Sequence, residues 1–174
     1  MVDGVATRNE QGKAGERTGA AFIEDAVDLD TQTQPNGVEL TLARVERFLS
    51  AGSLAFDNAE RELPETEPLA FGSDGRLHLE PGAYKIGFNE RVRVPLDRFA
   101  IARPRSSLLR MGASLPSALW DSGYTGRGEG LLVVHNPHGL RIRRDARVVQ
   151  LVFFRLDEPT DRPYNGRYQE APFE

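Results

Sequence analysis

Residues 102–130 gather groups suited to a phosphorylated ligand. Two hydroxyls, Ser106 and Ser107, stand between two guanidinium groups, Arg105 and Arg110. Arginine grips phosphate oxygens bidentately and hydroxyls add short neutral donors, so the set suits a polyanion. Further along, a lone carboxylate, Asp121, opens the glycine-rich run Asp121-Ser-Gly-Tyr-Thr-Gly-Arg-Gly-Glu-Gly130. A turn of that composition can bring backbone amides close to a ligand. A phosphate cradle followed by a candidate general base points to phosphate-ester chemistry. Each group also has a plain structural reading. The serines would cap a helix, Asp121 would serve a turn, Tyr124 would fill core, and Gln150 would satisfy a neighbouring strand.

The elements that must position these groups read as strands. Residues 1–20 have almost nothing to bury and are expected to form a mobile leader, with residues 21–174 as the folded domain. Residues 21–29 suit a short helix or the approach to a first strand. After the turn signal Gln34-Pro-Asn-Gly37, residues 38–48 alternate as a strand with one buried face. Residues 49–75 hold one or two short strands and a long polar loop around Leu63-Pro-Glu-Thr-Glu-Pro68. Strands are expected over 76–80, 83–90, 91–96, 130–136, 140–143 and 146–156. A short helix capped by serine is expected over 106–111, and a turn over 127–130. Short strands with turn signals every eight to twelve residues or about that argue an all-β sandwich or barrel.

Composition narrows the ligand. A chain of 174 residues suits one domain with a real core. Its net charge of -4 gives no electrostatic case for nucleic acid. Arg98, Arg103, Arg105 and Arg110 nonetheless cluster, as do Arg141, Arg143, Arg144 and Arg147; of these, Arg141, Arg143 and Arg144 are read as a solvated or interface face. Local positive potential on an acidic chain fits a small anionic ligand. With no cysteine, disulfides, thiolate metal sites and cysteine nucleophiles are excluded. The three histidines, His78, His135 and His138, are too scattered for zinc and are read, like Trp120, as structural. No apolar run approaches the roughly eighteen residues of a membrane span, and the N-terminus lacks a signal-peptide core. A soluble, cytoplasmic protein with no membrane or nucleic-acid partner is the expectation.

Five segments in order then resemble the superfamily that unites trimeric dUTPases with dCTP deaminases. Gln34-Pro-Asn-Gly-Val-Glu-Leu40 is similar to the first motif, with Glu39 where the family usually has Asp. Arg105-Ser-Ser-Leu-Leu-Arg110 matches the phosphate-binding motif almost residue for residue. Asp121-Ser-Gly-Tyr-Thr-Gly126 is similar to the third motif and Arg147-Val-Val-Gln-Leu151 to the fourth. Tyr164-Asn-Gly-Arg-Tyr-Gln169 is similar to the tail of the deaminase branch. The resemblance covers residues 34–169. It implies a distorted jelly-roll β-barrel, with one short helix after the Arg-Ser-Ser motif, assembled as a homotrimer whose sites are shared between chains.

The resemblance also frames a choice of chemistry. In the deaminase branch a glutamate on the strand after the third motif moves protons at the pyrimidine C4. Counting from Asp121 that position is Leu131, and counting back from Asn136 it is Val133; neither is a carboxylate. The implied reaction is therefore hydrolysis of dUTP to dUMP and pyrophosphate. The triphosphate would lie on Arg105, Ser106, Ser107 and Arg110, with Gln150, Tyr164, Arg167 and Gln169 closing from other segments. Mg2+ would be held through the substrate phosphates rather than by protein ligands. Asp121 would meet the sugar 3′-hydroxyl and orient the attacking water, and Tyr124 would pack under the deoxyribose. Backbone groups of Leu131, Leu132 and Val133 would read the uracil edge. Two alternatives stand beside this one: a dCTP deaminase with Glu129 displaced into the acid/base role, and a non-catalytic nucleotide-binding trimer.

Overall fold

A computed structural model describes residues 15, 16 and 18–170. Of the leader expected over 1–20, residues 1–14 and 17 lie outside the described residues; Thr18 is buried, and Gly19 lies directly on the Phe153 ring. The architecture is the all-β one expected. Its elements are β1 (Ile23–Glu24), α1 (Leu29–Gln32), β2 (Thr33–Gln34), β3 (Gly37–Phe48), β4 (Thr66–Pro68), β5 (Arg76–Leu79) and β6 (Gly82–Arg93). They continue with β7 (Arg98–Pro104), α2 (Ser106–Arg110), β8 (Ala113–Ser114), β9 (Leu119–Trp120), β10 (Thr125–Val134), β11 (Leu140–Arg143) and β12 (Arg147–Arg155).

One curled antiparallel sheet runs β8-β10-β6-β3-β12-β7-β9, and β5 and β11 form a separate ribbon. The curl turns on β3. Its first half pairs with β12, with Val38 opposite Leu151 and Leu40 opposite Val149, whereas its second half, from Leu42 to Arg47, pairs with β6. A strand that changes partners midway makes the corner between two facing sheets. Register shifts at this corner, between Leu42 and Arg44 on β3 and between Arg147 and Val149 on β12, supply the local bend. The apolar interior lies between the two halves and includes Val38, Leu40, Leu42, Ile86, Phe88, Leu132 and Leu151.

Three expectations are corrected at this corner and beside it. β3 was expected to bury one face, but residues 38–42 are buried on both. Val38, Leu40 and Leu42 face the interior, while Glu39 and Thr41 on the opposite face are covered by polar partners. The strands expected separately over 83–90 and 91–96 are one strand, β6. The Asn89-Glu90 pair that reads as a break is instead a wide bulge: residues 88–90 oppose Gly128 alone. The bulge turns Glu90 inside, where its carboxylate accepts from Gln32 Nε2 (2.7 Å), the Thr41 backbone N–H (2.8 Å) and Thr41 Oγ1 (2.6 Å). Finally, residues 127–130 are not a turn but part of β10. Gly128 is required there because a Cβ would sit 2.0 Å from the Trp120 ring, so the six-membered ring of the indole abuts the strand.

The helix after the cradle arginine is present but not capped by serine. Its N-cap is Arg105, in extended conformation and without a side-chain cap bond, so neither serine hydroxyl is engaged in capping.

Glu90 is fully buried. Glu90→Ala strands the Thr41 N–H and one N–H of the Gln32 amide, whose nitrogen keeps only its bond to Glu39 O (2.8 Å); each orphaned donor costs about 1–3 kcal/mol. A loss of about 3 kcal/mol is therefore expected, read as a lower urea midpoint at unchanged slope and fixed protein concentration.

Candidate active site

Asp121 follows β9 in a tight turn built to present it. The Tyr124 N–H returns to the Asp121 carbonyl (3.1 Å), Gly123 N–H donates to Val94 O (2.9 Å) and Val94 N–H to Tyr124 O (2.8 Å). Gly123 takes φ 85°, a left-handed conformation that glycine adopts without a Cβ penalty. The turn is thus fixed on three sides. The Asp121 side chain itself is exposed, and among the described residues it has no hydrogen-bond or ionic partner.

Beneath the turn a run of aromatic rings leads from the interior to the surface. Phe88 meets Trp120 (centroids 6.3 Å), Trp120 meets Tyr124 edge-on (5.5 Å), and Tyr124 meets Tyr164 edge-on (5.5 Å). Trp120, read from sequence as structural, both packs the interior and lines a cleft of about 680 Å³. Asp121, Tyr124, Tyr164, Arg167 and Gln169 line the same cleft. Five of the residues expected in the site are thus brought together.

The tail is held on the turn by its own main chain. Tyr164 N–H donates to Ser122 O (2.8 Å) and Glu170 N–H to Thr125 O (2.8 Å). Gln169 uses both ends of its amide on backbone: Nε2 donates to Gly123 O (3.1 Å), and Oε1 accepts from the Thr125 N–H (3.2 Å). In this conformation Gln169 is a latch. Arg167 projects into the cleft with no partner among the described residues.

A charged wall closes the cleft's other side, and sequence reading missed most of it. Glu129 Oε1 meets Arg44 Nη2 at 2.5 Å and Lys85 Nζ at 3.1 Å. Glu46 completes the square, at 2.7 Å from Arg44 Nε and 3.2 Å from Lys85 Nζ. Register explains the meeting: Glu129 stands opposite Gly87, which stands opposite Arg44, in one row across β10, β6 and β3. Period-two alternation places Arg44 and Glu46 on one face of their strand, but the row itself is not written in any single strand. From Glu129 to Val134 the pairing with β6 is regular, so Glu129, Leu131 and Val133 share a face.

Arg105, Ser106, Ser107, Arg110 and Gln150 form a second group, and none of them lines the cleft. Glu39, buried on the outer face of β3, organises it. Its Oε1 accepts from Arg105 Nε (2.5 Å) and its Oε2 lies 2.9 Å from Arg147 Nη1. Gln150 stands directly opposite Glu39 across the β12–β3 ladder. Binding through Nε leaves the Arg105 Nη groups available, apart from a long contact of Nη1 to Arg147 O (3.4 Å). The Ser106 and Ser107 side chains are exposed, with no hydrogen bond from either hydroxyl among the described residues. Among the described residues Arg110 Nη1 donates only to Ser106 O, at 3.1 Å.

β10 spans the gap between the two groups. The cleft sits at its beginning, around Arg127 to Glu129, whereas the turn after α2 is tied to its far end by His135 N–H on Gly112 O (2.9 Å). At about 3.3 Å per residue the separation along the strand is on the order of 20 Å. Leu131, Leu132 and Val133 lie between. The Leu132 side chain belongs to the interior and none of the three lines the cleft. One edge of β10 pairs with β6; on the other, β8 covers only Val133 and Val134, so no described strand pairs that edge over residues 126–132.

Among the described residues no three His, Cys, Asp or Glu side chains group closely enough to hold a metal, and no helix is long and apolar enough to cross a membrane.

Residues 8–156 match the model of the dCTP deaminase-like family, and the chain belongs to that family. Within it, the sequence is 50% identical over 148 residues to a protein of Methanosarcina mazei named probable deoxyuridine 5′-triphosphate nucleotidohydrolase. That alignment covers 85% of this chain and 86% of the relative. A protein of the same name from Archaeoglobus fulgidus is 49% identical over 148 residues, again 85% of this chain and 86% of the relative. A crystal structure of 2′-deoxycytidine 5′-triphosphate deaminase from Agrobacterium tumefaciens shares the fold, with a TM-score of 0.60 at 23% identity. It covers 82% of this chain and 46% of the other.

Burial, then the neighbouring Tyr164 and Glu129, push the Tyr124 phenol up to about 12. An unfolded tyrosine ionises near pH 10 or about that. The native state therefore keeps a proton that the unfolded state releases, and the stabilisation present below about pH 10 is lost as pH rises towards about 12. Burial, then Glu80, also raises the Tyr84 phenol, so ultraviolet titration is expected to show late-ionising tyrosines, one of which is lost in Tyr124→Phe.

Proposed function

We propose that this chain hydrolyses dUTP to dUMP and pyrophosphate, with each site assembled from the cleft of one chain and the cradle of another. The observation that carries the reading is the contrast between the two cleft carboxylates. Asp121 stands unpartnered among the described residues, whereas Glu129 is held by Arg44 and Lys85. A base for a water nucleophile must have lone pairs to offer. Asp121 has them. Glu129 would have to leave two cations before it could shuttle protons on a pyrimidine, and the strand positions Leu131 and Val133 carry no carboxylate. Relatives near 50% identity that are named deoxyuridine triphosphate nucleotidohydrolases support the same substrate.

Asp121 orients and deprotonates the water, whose oxygen attacks the α-phosphorus. The bond from that phosphorus to the bridging oxygen breaks, and pyrophosphate leaves with the electron pair. Arg105, Ser106, Ser107 and Arg110, with Gln150 beside them, take the negative charge of the triphosphate in a preorganised cradle. Tyr124 and Tyr164 provide an apolar floor for the deoxyribose. The open edge of β10 around Leu131, Leu132 and Val133 offers main-chain groups to the uracil. The donor set fits Mg2+ carried in on the triphosphate: a single unpartnered carboxylate cannot build an all-protein cage, and this ion favours phosphate oxygens and water. When bound it spreads the charge on the phosphates. Residues 21–174 act as the catalytic unit behind the leader, with the tail closing the cleft, Gln169 as its latch and Arg167 reaching the phosphates.

The two groups stand too far apart along β10 for one chain to place both on one triphosphate, so the working enzyme is an oligomer, read here as a homotrimer. Incubation with dUTP and with dCTP, each with Mg2+, tests the reading. Pyrophosphate release from dUTP is expected, falling by about 10²-fold or more in Asp121→Asn. Ammonia released from dCTP would overturn it in favour of the deaminase. Tight binding of dUTP without turnover would overturn it in favour of a non-catalytic binder.

A further inference from the structure

Residues 54–61 form a protrusion that neither group of site residues explains. Leu54 is 84% exposed and Phe56 is entirely so, an unusual display for large apolar side chains so close together. The neck below them is fixed. Ser53 and Glu62 exchange backbone hydrogen bonds (2.9 and 3.1 Å), Leu49 N–H donates to Glu65 O (2.9 Å), and Glu65 N–H donates to Ser50 Oγ (2.9 Å). Inside the loop Asp57 accepts from Ala59 N–H (2.8 Å) and starts a short 3-10 turn, Asn58–Glu60. This is a preorganised arm. Its base borders the cleft, since Leu63 is part of the lining and the Arg61 guanidinium lies over the Tyr168 ring (5.6 Å).

A matching surface exists on the cradle side. α2 buries Leu108 but leaves Leu109 57% exposed and Met111, just after it, 51% exposed. Arg110 lies between Leu109 and Met111 in the chain and Arg103 stands on β7 opposite Gln150, neither with a carboxylate partner among the described residues. The arm carries Glu60 and Glu62, with Glu65 at its base, and none of these carboxylates has a cation partner among the described residues. The arm is apolar at its tip and acidic at its sides; the patch pairs apolar side chains with basic ones.

We propose that the arm docks on a second copy of this chain, Phe56 packing on Leu109 and Met111 beside the partner's phosphate cradle. This rests on the reading that cleft and cradle meet between chains, and it names the contact that sets their register. The two faces differ, so the contact is head-to-tail and repeats around a closed ring. The arm borders one half of the site and the patch borders the other, so docking brings the halves together.

The chain contains no cysteine, which makes the contact directly testable. Phe56→Cys and Met111→Cys are prepared separately, allowed to exchange subunits, mixed and mildly oxidised. A disulfide needs Cα atoms within about 7 Å, and docking raises the local thiol concentration from micromolar to about millimolar. The mixture is expected to form a linked dimer on the order of a hundredfold faster than Phe56→Cys mixed with Arg141→Cys. Neither variant alone should link. Linking no faster than that control would overturn the proposal, as would linking of Phe56→Cys to itself, which a two-fold contact would produce. Turnover of dUTP by the parent protein separates the two readings. Linking without turnover would leave the docking standing and remove the function; turnover without linking would do the reverse.

Discussion

The structure depends on how β3 turns the corner between two sheets. A strand that leaves one neighbour for another exposes main-chain groups at the bend, and both of its faces become interior. Two carboxylates resolve this. Glu90, turned in by the β6 bulge, takes the Thr41 N–H, the Thr41 hydroxyl and the Gln32 amide. Two residues along the same face of β3, Glu39 binds Arg105 and Arg147. A buried carboxylate is costly unless its lone pairs are met, and each of these is met by partners from elements far apart in sequence. The first ties α1 and β6 to the corner; the second ties the start of α2 and of β12 to it.

This arrangement links fold to chemistry. Glu39 holds Arg105 by its Nε edge and so aims the rest of the guanidinium outwards, beside two serines that capping does not use. The β6 bulge lies opposite Gly128, where the strand gives way to the Trp120 ring. Trp120 in turn supports Tyr124 and the turn that presents Asp121. Cradle and cleft are therefore positioned by the same corner, yet they face apart, at different stretches of β10. The proposed assembly, with one half-site from each of two chains, builds on this separation.

Contiguous features were legible in the sequence. The cradle could be read because Arg105, Ser106, Ser107 and Arg110 occupy one short stretch, and Asp121 with Tyr124 because a glycine turn marks them. The all-β class followed from alternation and turn signals, whereas β7, β8 and β9 were not expected. What could not be read depends on contacts made across long separations. Glu90 looks like surface at a strand break, because Gln32 and Thr41 lie 58 and 49 residues away. Arg44 and Lys85 join Glu129 only through cross-strand register, which no single strand encodes. The glycines at 126, 128 and 130 suggested a turn; their spacing of two was the signal of a strand whose inner face must stay flat beneath an aromatic ring.

The central claim is that each working site takes its base from one chain and its cradle from another. Asp121→Asn lacks the base but keeps the cradle, and Arg105→Ala keeps the base but lacks the cradle. Each alone should be nearly inactive towards dUTP. Mixing the two under conditions that allow subunit exchange is the most direct test, because some sites will then combine the intact half of each variant. Pyrophosphate release well above that of either variant alone is the predicted result. A mixture no more active than its components, with exchange verified, would contradict the account and place both halves of the site within one chain.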